Sequence, residues 1–364
     1  MIDKRLKKNY HFLFLLMLAV IIMLIIFKDA IYILLLTIPF VYAWYNKLKL
    51  KLILIFSILS FIPSIIYFLI KDFNFLVYFV NLINEKQGFS VRDLMSNYLD
   101  NKYDPLTSSF IKLMILNIKV DESYYLYKKM ISLSIVYLIV ISGFHLMFIR
   151  KLVEFIFKKV PKIGLAINLI IFFFYSFILN FSMSVFRVFL TMVFSKLTSR
   201  RCKGDYEFTA MAGVFCLFCF PSVCFSLSYA LSYICTFGII YVSSLEIKNF
   251  ILEKVLMNIV AIILSLPFVL SINKEISLLA VINSFIFSYF FCFVFIYFFF
   301  FWYIWFLSPI HNFITQLAFM VVNGFNVINI MVIFSFQNKW FNCAYYLLCF
   351  ITIMITYKKI KYSW

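Results

Sequence analysis

Charged residues, glycine and histidine are scarce in this sequence. Among 364 residues, charged side chains make up 13%, with seven glycines, seven prolines and three histidines. Soluble domains carry about 25% charged residues, so a soluble globular protein is excluded, and so is a disordered chain. No glycine-rich phosphate loop, HExxH zinc motif or paired carboxylates occur. We therefore expect no metal, no cofactor and no self-contained enzyme.

Apolar side chains make up 65% of the chain. A membrane-crossing helix needs about 20 mainly apolar residues. The sequence therefore predicts an all-α fold, a polytopic integral membrane helical bundle with about 11–12 transmembrane helices. The apolar runs lie near residues 11–27, 30–45, 52–70, 131–149, 163–181, 184–197, 207–221, 224–244, 255–271, 276–307, 311–336 and 341–357.

Two of these runs allow more than one arrangement. The run at 276–307 is too long for one straight helix, so it is tilted, broken near Asn283–Ser284, or continued beyond the bilayer. The run at 311–336 has asparagines every three residues on roughly one helix face. It either spans the membrane or lies along its surface.

The basic residues divide unevenly between alternate loops. The chain has 33 Lys and Arg against 15 Asp and Glu. Short loops on one side hold only Lys28, Lys274 and Lys339, whereas most other loop basic residues fall on the opposite side. Positive residues favour the cytoplasmic side. We predict a multi-pass membrane protein with a cytoplasmic N-terminus, while the side of the C-terminus depends on whether 311–336 spans.

The eight cysteines lie mostly within apolar runs, where thiols behave as small apolar side chains. Cys216 and Cys219 have CxxC spacing, but Phe and Leu surround them and no ligand set is near in sequence. We therefore expect neither zinc binding nor a redox role at this pair.

The largest segment between spans, residues 71–130, is predicted to be external. Ser90 and Asp93 resemble a capping box, and the following residues have the spacing of an amphipathic helix that lies on the membrane or packs on the bundle. Pro105 ends it, and a second helical stretch, 107–119, leads to a polar turn at Asp121–Glu122. Lipid headgroups or a nucleic acid backbone would explain the basic residues of the segment, which are Lys71, Lys86, Arg92, Lys102, Lys112, Lys119, Lys128 and Lys129.

Arg187 is the basic residue in the middle of a predicted span. Asn180, Ser184, Thr191 and Ser195 recur at helical spacings around it and predict a polar stripe. Ionisable residues inside membranes usually face a cavity or a partner, and the guanidinium fork matches phosphate oxygens. The structural alternative is an arginine bonded to helix carbonyls or reaching the interface.

His145 lies in the stretch ISGFH, one helical turn after Ser142. A hydrogen-bonded packing histidine and a functional histidine are equally compatible with this pattern, because no third orienting acid for nucleophilic catalysis is evident. Gly143 lies between the two residues and lets another helix approach closely.

Four stretches resemble the ComEC-type competence family. IVYLIVISGFHLMFI (Ile135–Ile149) resembles its HLLAISGLHV signature, and FSMSVFRVFLTM (Phe181–Met192) resembles FSPSVLRAxxM, with Arg187 at the arginine. LSYICTFGII (Leu231–Ile240) resembles LSFxAVLGL and contains Gly238, where we expect close helix packing. ISLLAVINSF (Ile276–Phe285) resembles LSLLxxLANLL, with Asn283 at the asparagine.

The resemblance covers roughly residues 90–357, with departures. Tyr137 replaces the signature's first histidine, Met183 a proline and Val188 an alanine, and Asn117–Lys119 stands where GDR would be. The apolar runs and charges predict membrane anchor spans at 1–70, an external amphipathic helical segment at 71–130 and a short basic tail at 358–364, and the resemblance implies a competence-type channel domain at 131–357. It also implies a short member without the family's OB-like and metallo-β-lactamase-like domains.

That family is thought to pass single-stranded DNA into competent bacteria. The resemblance therefore implies a channel for single-stranded DNA in transformation, with a path along Arg187, Ser184, Asn180, Thr191, Ser142, His145 and Asn283. The implied partners are single-stranded DNA, membrane lipids, a separate DNA-binding receptor and a cytoplasmic ATP-driven helicase-like motor, because the chain has no ATP-binding loop. A homo-oligomer is left open.

Three other hypotheses remain at this stage. A flippase for an anionic glycolipid would place a headgroup against Arg187. A membrane acyltransferase would use His145 as its base. A degenerate family member would have another role altogether.

Overall fold

The structure, a computed structural model of the chain, describes residues 11–70, 90–135, 143–197, 205–333 and 338–362. The expected all-α class is confirmed. In chain order the α-helices are α1 (His11–Phe27), α2 (Thr37–Tyr45), α3 (Leu50–Leu59), α4 (Ile62–Leu69), α5 (Val91–Lys102), α6 (Pro105–Ile111), α7 (Asp121–Ser132), α8 (Gly143–Ile156), α9 (Pro161–Ile178), α10 (Met183–Leu197), α11 (Asp205–Cys219), α12 (Leu227–Ser243), α13 (Phe250–Asn273), α14 (Ala280–Phe301), α15 (Ser308–Val327) and α16 (Lys339–Tyr362).

Shorter elements connect some of these helices. A π-helical turn, Lys112–Leu116, extends α6. Strands β1 (Glu275–Ser277) and β2 (Met331–Ile333) pair antiparallel, with Ile276 opposite Val332. Single 3₁₀ turns occupy Ala30–Leu36, Pro221–Phe225 and Trp305–Leu307.

Five helices in the described residues are long and apolar enough to cross a membrane, fewer than the 11–12 predicted. They are Leu50–Leu69, Pro161–Ile178, Phe250–Leu270, Ala280–Phe301 and Trp305–Val327. The last favours the spanning interpretation of the run at 311–336. Helix α14 continues through Asn283 and Ser284 without the break that we considered there. Shorter apolar helices are His11–Phe27, Ala30–Tyr45, Pro105–Leu116, Tyr206–Cys219 and Leu227–Ser243.

The chain divides into two compact units. Unit 1 comprises Met1–Phe75, Leu190–Phe268 and Phe336–Trp364, and unit 2 comprises Leu76–Phe189 and Val269–Ser335. These bounds rest on spatial contacts, so the sequence-based borders at 70, 130 and 357 stay a prediction. Helix α16 continues to Tyr362, within the predicted basic tail at 358–364.

Unit 1 is organised around the contact of α1 with α11. The backbone N–H of Phe12, in the first turn of α1, donates to Glu207 Oε2 at 3.2 Å. A Cβ on Gly213 would lie 2.9 Å from side-chain atoms of Leu16 and Tyr233, so only glycine permits this close approach. A carboxylate at the positive end of a helix is favourable, which explains how Glu207 is accommodated in a buried position.

Unit 2 is built around a buried helical segment from Thr107 to Leu116. Phe110 meets Phe298 of α14 edge to face, with ring centroids 5.8 Å apart. The Tyr175 hydroxyl, on α9, donates to the Ile115 carbonyl at 2.9 Å. The second helical stretch that we predicted within segment 71–130 therefore packs among the apolar helices of the unit.

The ends of α5, α6 and α7 differ in detail from the sequence prediction. Ser90 occupies the N-cap of α5, but its side chain makes no capping hydrogen bond there. Asn117 has left-handed backbone, φ 52°, and ends the π turn. Asp121 and Glu122 are not a turn, because they form the first turn of α7, where acidic side chains complement the helix dipole.

A polar seam, formed by Asn323, Asn326 and Asn329 with their partners, explains the threefold asparagine spacing. Lys129 Nζ donates to Asn323 Oδ1 at 2.8 Å, and Ser132 Oγ donates to Asn326 Oδ1 at 2.7 Å. Asn329 Nδ2 donates to the Ser132 carbonyl at 2.9 Å, and its Oδ1 accepts from Ser277 Oγ at 2.6 Å. The asparagines therefore join α7, β1 and the end of α15.

Asn329→Leu should lower the free energy of unfolding by about 1–2 kcal/mol, because two side-chain hydrogen bonds are lost and their partners are left behind. Thermal unfolding of the purified protein in detergent measures this. Asn101→Leu, at an exposed position of α5, is the matched control and should change little. Equal effects of the two substitutions would contradict the importance of the polar seam.

Candidate functional site

Arg187 lies on α10 inside unit 2, and its residue is only 7% exposed. A Cβ added to Gly143, the first residue of α8, would lie 2.5 Å from Arg187 Nη2 and 3.5 Å from a methyl of Val188. The guanidinium thus occupies the space that any side chain at position 143 would need. The close approach that we expected at Gly143 is made by the side chain of Arg187. This contact connects two of the competence-type stretches, Ile135–Ile149 and Phe181–Met192.

His145 lies two residues after Gly143 on the same helix and is completely buried. Its imidazole stacks on the ring of Phe295 of α14, with centroids 4.9 Å apart and planes 26° apart. Helix α8 therefore contacts α10 through Gly143 and α14 through His145. A ring enclosed in this way is not open to an acyl acceptor, which disfavours the acyltransferase hypothesis. Ser142, which we predicted to line the path together with His145, lies outside the described residues.

The turn before α10 has unusual backbone. Asn180 and Phe181 both have positive φ, 50° and 54°, a conformation that costs energy in residues other than glycine. Phe181 is buried and meets Phe186 edge to face at 5.3 Å, and this packing retains the turn. Asn180 is exposed and precedes the helix, so it does not lie on the helical polar stripe where we had placed it.

The rest of the predicted stripe lies on one helix. Ser184, Arg187, Thr191 and Ser195 all lie within α10, and the three hydroxyl residues are half-buried. Surface recesses of about 590 and 600 Å³ lie elsewhere, beside Lys339 and beside Arg92. Arg187 and His145 line neither of these recesses, and both residues are buried where α8 meets α10 and α14.

Asn283 and Gly238 have specific packing contacts. Asn283 is buried, and its Nδ2 donates to the Leu133 carbonyl at 3.2 Å and to Ser277 Oγ at 3.3 Å. These bonds connect the start of α14 to the polar seam. A Cβ at Gly238, on α12, would lie 2.7 Å from Leu264 on α13, which is close helix packing within unit 1.

The predicted external basic residues differ in exposure. Lys102, Lys119 and Lys128 are exposed and Lys129 is half-buried. Lys112 is buried and forms an ion pair with Asp100. Our expectation that Lys112 presents its charge on the surface is therefore corrected, because the π turn that follows α6 carries it into the unit.

Sequence reasoning missed the tyrosines that accompany these lysines. Lys119, Lys128 and Lys129 each place Nζ over the ring of a tyrosine on α7, at 3.9, 4.7 and 4.3 Å from the ring centroid. Tyr124 and Lys128, like Tyr125 and Lys129, are four residues apart, and side chains at this spacing are neighbours on a helix. The sequence therefore contained the information needed to predict these two pairs. In the part of the chain that the structure describes, no group of three His, Cys, Asp or Glu could hold a metal ion.

A bundle of long apolar helices with a buried arginine and interhelical glycines defines a helical membrane protein. The Competence family model, described as "Competence protein", matches residues 114–361. The chain belongs to this family, which points to a role in DNA uptake. The match includes Gly143, His145, Arg187, Gly238 and Asn283.

Two curated mycoplasma proteins are similar to this chain. It is 25% identical over 210 residues to "Uncharacterized protein MG316" of Mycoplasma genitalium, which covers 56% of this chain and 54% of that protein. It is 23% identical over 200 residues to "Uncharacterized protein MG316 homolog" of Mycoplasma pneumoniae, which covers 54% and 53%. The matches thus extend over about half the length of each relative. No solved structure matches the chain.

A double-mutant cycle tests the contact between Gly143 and Arg187. Gly143→Ala should destabilise the protein by about 1–3 kcal/mol, because the added methyl overlaps Nη2 in a packed site. In an Arg187→Gln background, where Nη2 is absent, most of this cost should disappear. Thermal unfolding of the four proteins gives the coupling energy, which we expect to exceed about 0.5 kcal/mol.

Gly324→Ala is the matched control for this cycle, because no atom lies within 4 Å of the Cβ position at Gly324. Its effect should be the same with Arg187 or Gln at position 187. If the effects of Gly143→Ala and Arg187→Gln on the free energy of unfolding are additive, the two residues are not in direct contact.

Replacing Asp100 and replacing Lys112, which form an ion pair, should lower the free energy of unfolding by different amounts. Asp100→Asn should cost at least about 2 kcal/mol, because it leaves a buried ammonium without its carboxylate. Lys112→Met should cost less, because the Asp100 side chain is half-exposed and water can solvate it. Glu154→Gln, in the exposed pair with Arg150, is the control and should change stability by less than about 1 kcal/mol.

The pH dependence of this pair has a definite sign. Burial raises the pKa of Asp100, but hydrogen bonds from Lys112 and Ser108 and the Lys112 charge outweigh it, so the pKa lies below its usual 3.8. The stabilisation is therefore present at neutral pH and is lost as pH falls through this lowered pKa. Equal stability of Asp100→Asn and the unmodified protein at pH 7 would contradict the assignment.

Proposed function

We propose that this chain forms a pathway for single-stranded DNA across the bacterial cytoplasmic membrane, with Arg187 as a residue that contacts DNA phosphates. The observation that carries the proposal is the buried guanidinium of Arg187 against Gly143, because it brings together two stretches of the competence-type sequence within one unit. Membership of the Competence family supports the same role.

Charge and geometry together favour a phosphate as the ligand. A charged side chain at the centre of a membrane helix costs about 2.5–3.5 kcal/mol even on insertion scales, so a bundle without use for it would be more stable with an apolar residue. The guanidinium remains charged at any physiological pH. Its fork of donors forms paired hydrogen bonds with phosphate oxygens, which a lysine ammonium cannot reproduce.

Transport along this pathway requires the contact between α8 and α10 to open. Gly143 has no side chain to obstruct the movement, and the guanidinium is the group that fills the space beside it. We propose that an incoming phosphate exchanges for the protein contacts of Arg187, so that the pathway opens when DNA is present. Ser184, on the same helix, then offers a hydroxyl to the passing strand.

The remaining parts of the proposal follow from the sequence. The N-terminus is cytoplasmic and the chain crosses the membrane several times. A separate DNA-binding receptor delivers the strand, a cytoplasmic ATP-driven helicase-like motor moves it, and lipids surround the bundle. No catalytic step is assigned to this chain.

Uptake of labelled DNA in the native bacterium tests the role of Arg187. Arg187→Gln should reduce uptake by about tenfold or more at equal abundance in the membrane, because a charge-assisted hydrogen bond contributes about 1.5–3 kcal/mol. Arg187→Lys should give an intermediate value, since it keeps the charge and loses the fork. Immunoblotting of the membrane fraction separates loss of uptake from loss of the protein.

Lys196→Gln is the matched control, because Lys196 is exposed on the same helix. Its uptake should equal that of the unmodified strain. Normal uptake in the Arg187→Gln strain would contradict the proposal. Normal uptake together with altered glycolipid distribution between the leaflets would support the flippase hypothesis in its place.

A further inference from the structure

Helix α7 of unit 2 has two chemically distinct faces. Ser123, Leu126 and Met130 are buried and attach the helix to the unit. The opposite side exposes two adjacent tyrosines, with Tyr124 48% and Tyr125 56% exposed. The two tyrosine rings therefore present surface that packing within the unit does not bury.

Each tyrosine of α7 is paired with a lysine. Lys128 Nζ lies 4.7 Å from the Tyr124 ring centroid, Lys129 Nζ 4.3 Å from that of Tyr125, and Lys119 Nζ 3.9 Å from that of Tyr127. An ammonium over a ring is attracted by the ring's negative face. The pairs hold three rings and three positive charges together along about two turns of helix.

We propose that this tyrosine–lysine surface, made of Tyr124, Tyr125, Tyr127, Lys119, Lys128 and Lys129, binds single-stranded nucleic acid through base stacking and phosphate contacts. The inference rests on the proposed function and deepens it, because it places a strand-binding site outside the buried contact at Arg187. Single strands are bound by stacking on aromatic side chains beside basic groups, and α7 presents both.

In this proposal the tyrosines stack on bases and the lysines contact phosphates. A lysine covers one face of each ring, which leaves the other face of the exposed Tyr124 and Tyr125 rings for a base. Lys119 and Lys128 are exposed and reach phosphates on either side of a stacked base. Lys129 also donates to Asn323 Oδ1, so it positions Tyr125 more than it contacts the strand.

Lys119 extends the tyrosine–lysine surface into a recess of about 600 Å³. The recess is lined by Arg92, Asp93, Asn117, Ile118 and Lys119. Arg92 Nη2 donates to the Leu116 carbonyl at 2.7 Å and to that of Asn117 at 3.3 Å, which fixes the backbone that carries Lys119. Asp93, Asp121 and Glu122 lie nearby in the first turns of α5 and α7 and reduce the net charge, so stacking supplies much of the affinity.

The chemistry of α7 favours a nucleic acid over a lipid surface. Helices that lie on membranes insert an apolar face between headgroups and acyl chains. The exposed residues of α7 include no aliphatic side chain, because they are Asp121, Glu122, Tyr124, Tyr125 and Lys128. Its apolar face is already buried in the unit.

Equilibrium binding of the full chain in discs of neutral lipid tests the proposal. The probes are a fluorescent oligothymidylate of about 12 nucleotides and an abasic strand of the same length and charge. Tyr124→Ala with Tyr125→Ala should weaken binding of the oligothymidylate about fivefold or more and leave the abasic strand nearly unaffected. Lys119→Gln with Lys128→Gln should weaken both and reduce the slope of log affinity against log salt by about 0.7 per lysine.

The matched control is Phe250→Ala with Lys254→Gln, which removes a lysine–ring pair of unit 1 whose phenylalanine is exposed and whose lysine is half-buried; it should leave both affinities unchanged. Equal losses for the two strands in the tyrosine variant, or none, would overturn the inference. So would loss of binding to phosphatidylglycerol vesicles in the lysine variant with oligonucleotide binding unchanged. If the unmodified chain binds neither strand, the proposed function itself is wrong. If it binds the strands and none of these substitutions changes the affinity, only the tyrosine–lysine surface is refuted as a binding site.

Discussion

Burial of the Arg187 guanidinium among apolar helices is the constraint around which this part of unit 2 is organised. A permanent cation needs space and a polar environment inside a bundle, and the absence of a side chain at Gly143 provides the space. The left-handed turn at Asn180 and Phe181 sets where α10 begins. The stack of His145 on Phe295 connects α8 to α14. The competence-type stretches that contain Gly143 and Arg187 are thus physically linked. The buried guanidinium of Arg187 restricts which residues can stand beside it.

Several other polar groups of unit 2 have hydrogen-bond or ion-pair partners, as buried polar groups generally require. The polar seam satisfies three asparagines of α15 and its following residues with partners on α7 and β1. Lys112 is neutralised by Asp100. The exposed Lys119 and Lys128 differ, because each lies over a tyrosine ring of α7, and a ring leaves the lysine charge available to an anion. The buried charged side chains therefore stabilise unit 2, whereas the exposed lysines are available to bind an anionic ligand.

Composition and hydropathy were sufficient to predict the helical membrane class, and four short motifs were sufficient to predict the family. The arginine on α10 and the special role of Gly143 were also predictable from sequence. The partner of Gly143 was not, because apolar helices pack in many registers with similar energies and periodicity does not reveal which helices meet. Burial of Lys112 was missed because every residue from Thr107 to Leu116 is buried, which an alternation of polar and apolar faces does not predict. The tyrosine–lysine pairs were overlooked among the many aromatics of the chain.

The central claim is that the strand passes beside Arg187, and photo-cross-linking during uptake tests it most directly. A photoreactive amino acid replaces Ser184, one helical turn from Arg187, in cells supplied with labelled DNA. The control position is Phe293 on α14, which is 72% exposed and faces away from the unit's interior. We predict label on the protein from position 184 and none from position 293. Equal labelling at both positions, or none at position 184 while uptake proceeds, would contradict the pathway.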